Sequence, residues 1–122
     1  MRVRRSLLAV SLGAMVAVSS AAAAGGSTIH LSPATVTRGH VVRVYGSIPG
    51  CPRGSELSLL STAFVHTHDF AGVPAVNVTV GRNGVYSVKT RIPVSKAPGR
   101  YTVSGRCGGG NVGAFVTLRV VR

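Results

Sequence analysis

From residue 26 onward the chain is a succession of short apolar-polar alternations cut by Gly, Pro and Asn. "TIHL" opens it, and "SPATVTRG" reads as a turn. "HVVRVYG" is a strand closed by "SIPGCPRGS"; "ELSLLSTAFV" is the next, followed by the histidine stretch "HTHD". "AVNVTV" alternates cleanly, and "GRNG" turns the chain into "VYSVKTRI". After the loop "PVSKAPGR" come the strand "YTVSGRC", the turn "GGGNVG" and the last strand "AFVTLRVV". No segment carries helical periodicity with caps. About seven short strands at near-regular spacing predict an all-β antiparallel sandwich or small barrel, with no internal repeat.

The first residues follow a different pattern. "MRVRR" is a short basic region, "SLLAVSLGAMVAVSS" an apolar one, and "AAAAGG" a run of small residues. That order reads as a secretory signal peptide over residues 1–24, cleaved after Ala24. The apolar run is too short for a transmembrane helix, and no second stretch could span a bilayer. The chain is therefore expected to be secreted and extracellular, with one domain over residues 25–122 and no transmembrane segment after processing. In an oxidising compartment the two cysteines, Cys51 and Cys107, are expected to pair.

Charge narrows the partners. Fourteen Lys or Arg against two acids give +12; without Arg2, Arg4 and Arg5 of the leader, the rest carries +9. Such a balance favours anionic partners. Alternation sends Val42 and Val44 inward and Arg43 outward. It likewise turns Tyr86, Val88, Thr90 and Ile92 inward, leaving Lys89 and Arg91 outside.

The stretches "LSPATVTRGHVVRVYGSIPGCPRGSELSL", "VTVGRNGVYSVKTRIPVSKAPGRYTVSGRCGG" and "AFVTLRV" resemble the small secreted immunoglobulin-like domains of actinobacteria. These are turn and core motifs, so the resemblance implies an immunoglobulin-like β-sandwich serving as a binding, adhesion or spacer module. It implies that "HVVRVYG" and "VYSVKTRI" neighbour each other in one sheet, gathering Arg43, Lys89 and Arg91 on one exposed face. That face is expected to attract an anionic polymer of the cell envelope; another extracellular protein is the other partner considered. Tyr101, after "APGR", is placed like a tyrosine-corner residue. With Cys51 in a Pro-Gly turn, the disulfide should tie two loops at one end of the sandwich. A second similarity is to the neocarzinostatin-like apoproteins, which hold an apolar chromophore in a cleft. Those carry two disulfides and tend to be acidic, so no ligand contact is transferred.

Catalytic patterns are missing. Glu56 and Asp69 would have to meet to form a glycosidase pair, and nothing resembles a nucleophile elbow. Gly108 to Gly110 suit a strand-to-strand turn better than a phosphate cradle. On a strand, His66 and His68 would share a face and could hold a metal only with a third ligand such as His30 or His40; the stretch reads instead as an exposed polar loop. Six aromatics in the whole chain leave few to interleave with basic residues, so nucleic acid is not expected. The expected protein is a monomeric, non-enzymatic module without a cofactor; the alternative is a small-ligand or metal carrier, using an apolar cleft or His66 and His68.

Overall fold

The computed structural model describes residues 26–122. The leader and its cleavage point lie outside the described residues. Among the described residues nine strands make up almost all the regular structure: β1 (His30–Ser32), β2 (Thr35–Thr37), β3 (Val41–Ser47), β4 (Glu56–Leu60), β5 (His68–Phe70), β6 (Val73–Thr79), β7 (Val85–Arg91), β8 (Gly99–Cys107) and β9 (Gly110–Val121). Among the described residues no helix is long and apolar enough to cross a membrane.

The strands form two sheets, β1-β3-β7 and β2-β9-β8-β4-β6-β5. Facing one another, they make an all-β sandwich of immunoglobulin-like order, extended past β4 by the β5–β6 hairpin. The period-2 pattern explains the layering. Val42 and Val44 of β3, Leu57 and Leu59 of β4, Val103 of β8, and Leu118 and Val120 of β9 all point between the sheets and are fully buried. Polar neighbours on the same strands face out.

Three sequence-based expectations need correction. "SPATVTRG" is not only a turn: after Pro33 the chain leaves the three-stranded sheet, and β2 joins the edge of the other. Because it keeps its direction while changing sheets, β2 runs parallel to β9, Val36 opposite Val120. The sandwich is thus not wholly antiparallel, and the described residues give it nine strands. Both additions, β2 and β5, are three residues long, too short to display an alternation. The strand expected over "ELSLLSTAFV" stops at Leu60, where the Ser61 hydroxyl accepts the Ala63 amide (3.1 Å) and turns the chain. Phe64 then drops back into the core.

Cys51 and Cys107 are bonded, their Cα atoms 5.9 Å apart. Cys51 lies buried in the loop after β3, and Cys107 is the last residue of β8. The bond therefore joins a loop to a strand end at one end of the sandwich. At Tyr101 the hydroxyl donates to the Ala97 carbonyl four residues upstream, the tyrosine-corner contact.

Tyr86 points inward from β7 and donates to the Thr28 carbonyl (2.9 Å), fastening the segment before β1 to the sandwich. Burial raises the affinity of this phenol for its proton above the ordinary value of 10.0. The folded state thus holds the proton more tightly than the unfolded one. That contribution to stability is whole below pH 10.0 and is lost as pH rises beyond it. Tyr86→Phe is expected to cost about 1 kcal/mol at neutral pH through the lost hydrogen bond. In urea denaturation from pH 8 to 11 it should lose less additional stability than the wild type. An identical alkaline decline in both proteins would exclude Tyr86 as its source.

Candidate functional site

β3 and β7 pair antiparallel with Arg43 directly opposite Lys89 and Val41 opposite Arg91. Since Val42, Val44 and Tyr86 are buried, the alternate residues Arg43, Lys89 and Arg91 share the outer face of the three-stranded sheet. The structure brings together all three cations that alternation singled out. None of these three strands contains an acid; Glu56 and Asp69 belong to strands of the other sheet.

Like charges directly opposite are unfavourable, and the side chains are arranged to ease this. The Arg43 guanidinium lies over the Tyr45 ring, 4.2 Å from its centroid, and donates to the Ser87 hydroxyl (3.0 Å). Arg91 donates to the Gly39 carbonyl (2.7 Å), while Lys89 extends into solvent. His30 of β1 stands beside Tyr45, ring centroids 5.3 Å apart. The outcome is a fixed cationic face with an aromatic at one side. The positions of Tyr45 and His30 were not anticipated, although alternation in "VRVYG" places Tyr45 with Arg43.

The histidine stretch, which the sequence reads as a polar loop, is exposed from His66 to Asp69. His66 sits in the turn before β5, and His68 is the first residue of β5, so the shared-face geometry of a single strand does not apply. His66 reaches across the turn to the Asp69 carboxylate, both exposed. Among the described residues no three of His, Cys, Asp and Glu come close enough to hold a metal ion.

Sequence reasoning passed over a second set of cations. Arg100 and Arg106 lie on β8 and Arg119 on β9, on the outer face of the six-stranded sheet, with Arg100 directly opposite Arg119. The signal was present in "GRYTVSGRC", where alternation puts Arg100, Thr102, Ser104 and Arg106 on one side. Only the pairing with β9 adds Arg119 to them.

No family model matches the chain, and no curated protein does. Among solved structures it is similar to Pseudomonas fluorescens alkylpurine DNA glycosylase AlkC bound to DNA containing an abasic site analog, at 16% identity and a TM-score of 0.48. That match covers 80% of this chain and 31% of the other. A likeness of this degree bears on neither activity nor ligand.

Proposed function

We propose that the protein is a secreted, non-enzymatic immunoglobulin-like module that attracts anionic polymers of the cell envelope through the outer face of its three-stranded sheet. The observation that carries this is the cross-strand register of Arg43, Lys89 and Arg91 on strands without a carboxylate. A solvated surface gains nothing from gathering like charges, whereas a polyanion meeting that surface neutralises them together. The disulfide suits an extracellular address.

The test separates this face from net charge. Binding to polyphosphate is measured by calorimetry across a salt series, where attraction should weaken as the Debye length shrinks. Replacing Arg43, Lys89 and Arg91 with serine is expected to lower affinity about tenfold at low salt, from three exposed contacts of modest strength. Replacing Arg53, Arg82 and Arg122, which lie off that face, removes the same charge and should cost distinctly less. Equal losses from the two triple variants would reduce the attraction to net charge and end the proposal.

A further inference from the structure

The outer face of the six-stranded sheet is basic too, but differently equipped. Arg100, Thr102, Ser104 and Arg106 alternate along β8 with Tyr101, Val103, Gly105 and Cys107, which pack inward. At ~3.4 Å per residue the two arginines stand roughly 20 Å apart along the strand, with two hydroxyls between them. Phe115 lies opposite Ser104 on β9. A groove of about 520 Å³ follows this line, with Thr62 and Asn111 among its walls. Past Arg100 a second depression of about 580 Å³ opens between Arg119 and Arg122. Glu56, the first residue of β4, lies toward the Arg106 end of the same face.

Two details point to a ligand with more than charge. Phe115 is 75% exposed, although its neighbours Ala114 and Val116 pack against the core. A whole phenyl ring thus stands in water amid a polar face, where covering it would be favourable. Arg106 is held in place by a bond from its guanidinium to the Gly109 carbonyl (3.3 Å). It also lies 5.4 Å from the centroid of the Phe70 ring. A charged side chain fixed in this way loses less freedom when it meets an anion.

We infer that this groove binds an acidic polysaccharide, a chain whose anionic groups are carried on its sugar rings. Arginines at both ends receive the anions through paired N–H donors. Thr102, Ser104 and Asn111 exchange hydrogen bonds with ring hydroxyls, and Phe115 covers the apolar face of a ring. A phosphate polymer without sugar rings offers the phenyl nothing to cover, and a neutral polysaccharide offers the arginines no charge. The inference rests on the reading of the protein as a polyanion-binding module, and adds to it a second surface and a ligand class.

The experiment measures binding of the disulfide-bonded protein to polygalacturonate, polyphosphate and dextran by calorimetry. Each variant is checked by circular dichroism, and all the replaced side chains face outward. Arg100→Ser with Arg106→Ser should weaken polygalacturonate binding about tenfold. Phe115→Ala should weaken it about fivefold, as expected for losing an aromatic platform, and leave polyphosphate binding unchanged. Failure of the wild type to bind polygalacturonate overturns the inference, as does dextran binding of equal strength. A Phe115→Ala effect that is nil, or the same on both anionic polymers, also overturns it. If replacing Arg43, Lys89 and Arg91 abolishes binding while the groove variants are silent, the groove falls and the three-stranded face stands. The reverse pattern removes that face and leaves the groove.

Discussion

Replacing both Cys51 and Cys107 with alanine is expected to cost about 4 kcal/mol of stability. The bond closes a loop spanning 56 residues, and opening it returns that much freedom to the unfolded chain. The loop contains β4, β5, β6, β7 and β8, which ends at Cys107, so the constraint acts on strands of both sheets. A domain of this size has a total stability of roughly 5–15 kcal/mol, so the loss removes a large share of it. The midpoint of thermal unfolding should fall on the order of 20 °C. Far-ultraviolet circular dichroism at low temperature should stay that of a β protein, because the pairing of β3 with β7 and of β8 with β9 does not run through the bond. A loss under about 1 kcal/mol in urea denaturation would show that the unfolded chain already keeps the two ends together.

Gly84→Ala comes next, with an expected loss of about 3 kcal/mol or more. Gly84 has φ +73°, in the left-handed region where a β-carbon is strained. An added Cβ would also run into the backbone carbonyl of Ile48, which cannot rotate aside. The Ile48 amide donates to the Gly84 carbonyl (2.9 Å), so the clash and the hydrogen bond occupy the same place, and relieving one breaks the other. Ile48 is itself buried, so any shift reaches the core. Gly108 provides the control. Its φ is +59°, but an added Cβ there meets nothing within 4 Å. Gly108→Ala should therefore cost only about 1 kcal/mol, the conformational part alone. Equal losses at the two sites in urea denaturation would mean that the contact with Ile48 contributes nothing.

Some features of this protein were set by the chain locally. Which side of β3 or β7 a residue occupies follows from the two-residue period and the need to bury Val42, Val44 and Tyr86. Arg43, Lys89 and Arg91 could therefore be assigned outward before any strand was paired. The cysteine pair was legible because two cysteines leave one intramolecular pairing. Tyr101 was legible because a tyrosine beginning a strand after "APGR" has its own upstream backbone within reach.

Other features depend on which strands become neighbours, and a period of two carries no record of that. β2 and β5 are three residues each, and they exist as strands only because β9 and β6 supply partners for their backbone groups. Phe64 was read as a continuation of β4, yet its burial is achieved by a turn that the Ser61 hydroxyl makes possible. The stretch around His66 is legible as a polar loop, but that its turn brings His66 to Asp69 is not written in the spacing. The groove along β8 is the fullest case. Its arginines alternate visibly, but Phe115 and Arg119 lie across an irregular stretch of β9 between Asn111 and Phe115. An irregularity of that kind shifts which residues stand opposite one another. The partners of Ser104 and Arg100 were therefore decided by the hairpin in three dimensions, because burial of Leu118 and Val120 selects the register and local alternation does not.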